Sequence, residues 1–153
     1  MEAQRFVGQV SGFQPLGGHF FRVERHSGDS DADGDIFHWL IVDQVELEDI
    51  KQVLAAVEQI DARHHHVFLM IEIKGSGGFA PVARRYYLEW RRSNVRENRW
   101  VYVVGASRVA RALITLVLRG TRLVTGREPV LHLVRDEPEA RSRMAEVRAH
   151  HGF

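Results

Sequence analysis

Two glycine-containing segments, each after a predicted strand, could hold a small ligand. Gly75-Ser76-Gly77-Gly78 follows the apolar run 67–73, and Gly105-Ala106-Ser107-Arg108 follows the run 100–104 and leads into a predicted helix. Exposed amides at the start of a helix attract negative charge, and an arginine beside them adds to that attraction. We predict a small anionic or apolar ligand at the carboxyl ends of these strands. The candidate ligand-binding residues are Ser76, Gly77, Gly78, Ser107 and Arg108.

Neither segment completes a nucleotide-binding motif. In the loop of short-chain dehydrogenases, Gly-Ala-Ser-Arg continues to further glycines, whereas this chain has Val109 and Arg111 there. Their side chains would keep the backbone away from a pyrophosphate. The glycines at 75–78 lack the Gly-Lys-Ser/Thr of a P-loop, so a flexible turn is the simpler interpretation. We therefore predict no cofactor.

Two polar segments contain residue types that bind metals. Asp29-x-Asp31-x-Asp33-Gly34 matches the first half of a calcium-binding EF-hand loop, but the twelfth position is Leu40 instead of glutamate. The run 64–66 holds three histidines, yet nothing in the spacing shows the three or four converging ligands that zinc needs. A hairpin tip and a polar loop explain these segments, and we predict no metal site.

Glu72 is the one carboxylate inside an apolar strand run. Burial there would raise its pKa and suit it to acid–base chemistry. The alternatives are a basic neighbour that pairs with it, or a strand less buried than its composition indicates. No serine–histidine–acid set can be chosen from spacing, because the fold assembles such triads. We predict no catalytic residues and a protein that is not an enzyme.

The third predicted helix, residues 107–119, is more apolar than packing on a sheet requires. Val109, Leu113 and Val117 share one side, and further apolar residues widen the surface beyond a stripe of about 100°. Either the terminal segments bury this surface, or it contacts a second copy of the chain, a partner protein or a lipid. The candidate interface residues are Ile114, Leu116, Leu118 and Leu123.

Composition limits the classes of partner. The 153 residues carry a formal net charge of +1, so the arginine-rich stretch 84–99 does not by itself indicate nucleic-acid binding. The chain has no cysteine, its first residues lack the long apolar stretch of a signal peptide, and no apolar run reaches the roughly 18 residues of a membrane span. We expect a cytoplasmic protein without a membrane span and without a nucleic-acid partner.

The periodicity predicts alternating strands and helices. We predict an N-terminal extension over residues 1–18, with a short strand at 5–10, followed by one domain over 19–153. The predicted strands are 19–25, 36–45, 67–73, 100–104 and 129–135, and the predicted helices begin near 46, 79, 107 and 136. Ser107 caps the third helix and Gly120 ends it, so residues 121–127 form a connection. The fold class is α/β, with a mixed, mostly parallel sheet, an antiparallel first strand and about four helices.

This series of elements resembles the STAS domain, and more narrowly the SpoIIAA-like group. The likeness rests on Leu47-Glu48-Asp49 opening the first helix, the strand–glycine–helix segment 101–118, and the terminal helix 136–148; it covers residues 20–150. The resemblance implies a STAS-like fold and a non-catalytic regulatory module that binds partner proteins. Some STAS domains also bind nucleotides or small apolar ligands.

In anti-sigma-factor antagonists of this family, a kinase phosphorylates a serine in an Asp-Ser-Ser-Gly motif. This chain departs from that motif over residues 74–83, and Ser76 is only the nearest substitute. A phosphorylation switch is therefore not expected. The alternative function is a carrier of a lipid or another apolar ligand, because CRAL-TRIO lipid-transfer domains have a related architecture; a third is an enzyme with an unrecognised site.

Overall fold

The structure is a computed structural model that describes residues 12–26, 29–31, 33–75, 78–94, 96, 98–125 and 131–153. The six strands are β1 (Gln14–Leu16), β2 (His19–Glu24), β3 (Ile36–Ile41), β4 (Val67–Ile73), β5 (Arg99–Val104) and β6 (Leu131–Val134). The four helices are α1 (Leu47–Arg63), α2 (Pro81–Ser93), α3 (Arg108–Thr125) and α4 (Glu137–His151). Helices α1, α2 and α3 each connect two neighbouring parallel strands.

The strands form one sheet in the order β1-β2-β3-β4-β5-β6. Strand β2 is antiparallel to both β1 and β3, whereas β3 to β6 are all parallel. This arrangement confirms the predicted α/β class and the mostly parallel sheet, and the described residues contain four helices, the predicted number. The sheet also includes β1, which lies within the predicted N-terminal extension, while the short strand predicted at 5–10 lies outside the described residues.

Alternate residues of each strand pack on opposite faces of the sheet. Phe37, Trp39 and Ile41 belong to the core on the first face, with the inner sides of α1 and Ala83 of α2. On the second face of the sheet, the other alternate residues pack against α4. That second core contains Ile36, Phe68, Met70, Trp100, Tyr102, Val104 and Val134 from the strands, and Ala140 and Met144 from the helix. The parallel strands β3, β4 and β5 are thus covered on both sides, which explains their nearly continuous apolar sequence.

Helix α1 begins where the acidic residues predict it. The Glu46 amide donates to Asp49 Oδ2 at 2.9 Å, which satisfies a backbone group that the first turn leaves unpaired. Asp49 Oδ1 also accepts a hydrogen bond from the Gly18 amide at 2.9 Å, so the same carboxylate attaches the β1–β2 turn to the helix. A side chain at Gly17 would be strained, because φ is 60° and its Cβ would lie 2.3 Å from Asp49 Oδ1, so the carboxylate would have to shift.

Two predicted boundaries are wrong. Helix α3 continues through Gly120 to Thr125, so most of the connection predicted at 121–127 is helical. Glycine inside a helix costs about 1 kcal/mol relative to alanine, which the good helix formers Arg119, Arg122 and Leu123 around it can offset. Strand β3 ends at Ile41 instead of residue 45, and Val45 forms an isolated parallel bridge with Phe79.

Candidate functional site

The apolar residues of α3 divide into an inner and an outer group. Of the predicted interface residues, Ile114 and Leu118 are half-buried, whereas Leu116 is 67 % exposed and Leu123 is 87 % exposed. Val109, which the sequence placed on the same side as Leu113 and Val117, is 72 % exposed. Among the α3 side chains that the structure describes, the large apolar ones available to another molecule are therefore Leu116 and Leu123 from the predicted set, together with Val109.

Val109, Leu116 and Leu123 are each seven residues apart. Seven residues are nearly two helical turns, so the three side chains align along the helix with a drift of about 20° per step. At a rise of about 1.5 Å per residue, the row is about 21 Å long. We call these three residues the outer stripe of α3. Isolated apolar residues on a protein surface are ordinary, but an aligned row of three is typical of a helix that packs against another element.

Charge on α3 has a single sign. The helix contains Arg108, Arg111, Arg119 and Arg122 and no aspartate or glutamate. Arg119 lies three residues after Leu116 and four before Leu123, which places it beside the outer stripe, and its side chain is exposed. Arg108 is also exposed and lies on the same flank of the helix. The outer stripe is thus bordered by arginines on one side.

Arg111 is directed inward instead. Its guanidinium donates to the carbonyl oxygen of Val134 at 3.2 Å and to that of Ala106 at 3.3 Å. These bonds fasten the first turns of α3 to the end of β6 and to the loop that precedes the helix. The orientation of the helix, and therefore the outward direction of the outer stripe, depends partly on this side chain.

The predicted ligand residues lie in two loops at one edge of the sheet. Strands β4 and β5 are parallel neighbours, so the loops that follow them share the carboxyl edge. Ser107 Oγ accepts from the Ala110 amide at 3.1 Å as a helix cap, and the carbonyl oxygen of Gly78 accepts from the Val45 amide at 2.8 Å. Ser76 and Gly77 lie outside the described residues, and Arg108 is exposed. The polar groups described at this edge therefore stabilise the backbone.

The second face of the sheet contains a group of buried charges, of which the sequence singled out only Glu72. His38 Nε2 lies 2.8 Å from Glu72 Oε2, and His38 Nδ1 lies 3.6 Å from Glu24 Oε1. Glu24 also accepts from Arg141 of α4 at 2.8 Å and contacts Arg22. The imidazole is 1 % exposed and the Glu24 side chain is fully buried, so these groups contact one another instead of solvent.

The pKa values of His38 and Glu72 are shifted by their pairing. Burial opposes the charged imidazolium, but the nearby Glu24 carboxylate and the hydrogen bond to Glu72 outweigh it and raise the pKa of His38. The hydrogen bond from His38, helped by Lys74, lowers the pKa of Glu72 to about 2 against the effect of burial. Glu72 therefore pairs with basic neighbours, which is one of the alternatives to a pKa raised by burial. An ionised carboxylate with so low a pKa is unsuited to proton transfer near neutral pH.

The histidine run at 64–66 does not converge on a metal site. Within the described residues no group of three or more histidine, cysteine, aspartate or glutamate side chains could hold a metal ion. His66 Nε2 instead pairs with Asp35 at 2.6 Å and its ring stacks on Phe153 with centroids 3.9 Å apart. Burial lowers the pKa of His66 despite the nearby Asp35 carboxylate. Arg148 donates to the same aspartate at 2.8 Å, which joins the end of α4 to the start of β3.

The aspartate-rich segment is part of the β2–β3 hairpin. Asp31 Oδ1 accepts from the Asp33 amide at 2.9 Å, and Asp31 also contacts Arg25. These contacts lower the pKa of Asp31, the backbone hydrogen bond most of all. A Cβ on Gly34 would lie 2.1 Å from the carbonyl oxygen of Glu24, so glycine is required where these two backbone segments of the hairpin approach each other. The segment is a hairpin tip, in agreement with the sequence interpretation.

A cleft of about 290 Å³ lies between β2 and α1. Phe21, Val23 and Phe37 supply apolar lining, and Gln59 and Arg63 of α1 supply polar lining. Its volume is at the lower end of the roughly 300–1,000 Å³ typical of small-molecule sites. This cleft was not predicted, because its walls come from segments far apart in the chain.

No family model matches the chain, and neither a curated protein nor a solved structure is significantly similar to it. The described part of the chain has an α/β fold with a six-stranded mixed sheet and four helices. No helix in the described part of the chain has both the length and the apolar character needed to cross a bilayer.

Proposed function

We propose that the chain is a cytoplasmic, non-catalytic interaction module of the STAS type, and that it binds a partner protein through the outer stripe of α3. The observation that carries the proposal is the exposure of Val109, Leu116 and Leu123 in one row. Each of these side chains would remove apolar surface from water on binding, which is favourable by about 25 cal/mol per Å².

The order of the elements supports the STAS part of the proposal. From β2 onward the chain runs strand, strand, helix, strand, helix, strand, helix, strand, helix, the series on which the resemblance rests. The residues quoted for the resemblance lie in the expected elements, with Leu47 at the start of α1 and Asp136 capping α4 through the Glu139 amide at 2.9 Å. A STAS-type module acts by binding other proteins, which agrees with an exposed row of apolar side chains on α3.

The carrier function has less support. The cleft beside α1 is small, and Gln59, Arg63 and Asp31 are among its lining residues. A carrier of lipid would need a larger apolar volume, because pockets for such ligands bury most of the ligand surface. We therefore place binding on the outer stripe of α3.

Site-specific photo-crosslinking tests the proposal. A benzophenone amino acid replaces Leu116 in the full chain, and the control variant carries it at Glu48, an exposed residue of α1. Irradiation in the cell that produces the protein should give one discrete protein adduct from position 116 and none from position 48. Adding Leu123→Arg to the first variant should remove the adduct, because a charge then replaces an apolar contact. Equal adducts from both positions, or none from 116, would contradict the proposal.

A further inference from the structure

The arginines beside the outer stripe identify the kind of partner. We infer that α3 binds an acidic amphipathic helix, whose apolar side chains pack on Val109, Leu116 and Leu123 and whose carboxylates face Arg108 and Arg119. This inference rests on the proposed function and adds the chemistry of the partner to it.

The spacing of the outer stripe favours a helix as the docking element. Apolar residues every seven positions remain in register with a second helix that crosses at a shallow angle, because both helices then repeat at nearly the same interval. A lipid surface requires a different kind of helix surface. A helix that lies in a bilayer interface carries aromatic anchors beside its apolar face, whereas α3 has no aromatic residue. Among the side chains of α3 that the structure describes, the large exposed apolar ones form a single aligned row.

Charge distinguishes an acidic partner from a second copy of the chain. With four arginines and no acidic residue, α3 can complement only negative charge. If two copies packed antiparallel along the outer stripe, the flank bearing Arg108 and Arg119 would face the same flank of the other copy. Like charges in such positions oppose association, whereas glutamates in a partner would pair with both arginines.

Selection from a peptide library tests this inference. The probe is a displayed library of helical peptides about three heptads long, with leucine at the apolar positions and either glutamate or lysine at the flanking positions. The immobilised full chain should enrich glutamate over lysine at the flanks about fivefold, the size expected for two exposed ion pairs. The double variant Arg108→Glu/Arg119→Glu should reverse this preference, while Leu116→Ser should capture few peptides of either kind.

Three outcomes would overturn the inference. The first is enrichment of lysine by the unmodified chain, and the second is an equal glutamate-to-lysine ratio for the unmodified and double-variant chains. The third is no enrichment of either kind while the chain co-sediments with phosphatidylserine-containing vesicles and not with phosphatidylcholine vesicles. The last result would assign the helix to anionic membranes. Circular dichroism establishes that each variant is folded. The photo-crosslink at Leu116 reports on association whatever the charge of the partner. An adduct there without glutamate enrichment refutes only the acidic helix, whereas a missing adduct refutes the proposed function.

Discussion

Replacing Glu72 with glutamine should destabilise the protein by about 3 kcal/mol near pH 6. The His38 hydrogen bond, with help from Lys74, lowers the pKa of Glu72 from 4.5 to about 2. At about 1.4 kcal/mol for each pKa unit, that difference gives about 3 kcal/mol. The Glu72 side chain is 14 % exposed, so water screens the pair little. The same attraction raises the pKa of His38, and it is counted once, on Glu72.

The destabilisation should depend on pH with a defined sign. Because the pKa of Glu72 is lower in the folded protein, its contribution is complete above pH 4.5 and is lost as the pH falls towards about 2. The difference between the wild type and Glu72→Gln should therefore decrease to about 1 kcal/mol near pH 3. Urea unfolding followed by tryptophan fluorescence, repeated at several pH values, measures both free energies.

Glu48→Gln is the matched control for this experiment. Glu48 is 75 % exposed and lies 3.4 Å from Lys51, so removing its charge should change the free energy of unfolding by less than about 0.5 kcal/mol. If Glu72→Gln behaves like Glu48→Gln near pH 6, or if its effect grows as the pH falls, the account of the buried charges is wrong.

Two further predictions concern the stability of the fold. Gly105→Ala should lower the melting temperature by several degrees, since φ is 78° and the new Cβ would lie 2.8 Å from the carbonyl oxygen of Ile73. Gly78 also has a positive φ, 64°, but a Cβ there would meet open space. Gly78→Ala should therefore lower the unfolding free energy by about 1–2 kcal/mol less than Gly105→Ala does. Equal melting temperatures for the two variants would contradict the steric argument. Asp136→Ala removes the cap that accepts from the Glu139 amide and should lower the midpoint of urea unfolding, because an amide of the first turn loses its acceptor. An unchanged midpoint would show that the cap contributes nothing.

The fold was largely predictable because local sequence determines most of its elements. The apolar run at 67–73 is strand β4, and the acidic residues before Ile50 mark the start of α1. The end of α3 was not predictable from Gly120, because a glycine both ends helices and occurs inside them, and only the balance of neighbouring propensities decides.

The candidate site was predictable only in part. Sequence showed that α3 is unusually apolar, but the half-burial of Ile114 and the exposure of Val109 depend on how the helix rests on the sheet. Of the buried charges, Glu72 stands out in the sequence, but its partners could not be found from spacing. Glu24 and Arg141 are 117 residues apart, and no local signal relates a glutamate in an edge hairpin to an arginine in the last helix.

Titration of the purified chain with the protein crosslinked at position 116 measures binding through the outer stripe of α3. We predict that Leu116→Ser and Leu123→Ser each raise the dissociation constant about tenfold or more, because each removes a large apolar contact, while the unfolding free energy stays unchanged. Dissociation constants equal to that of the unmodified chain would show that the partner binds elsewhere and that the outer stripe is not the binding surface.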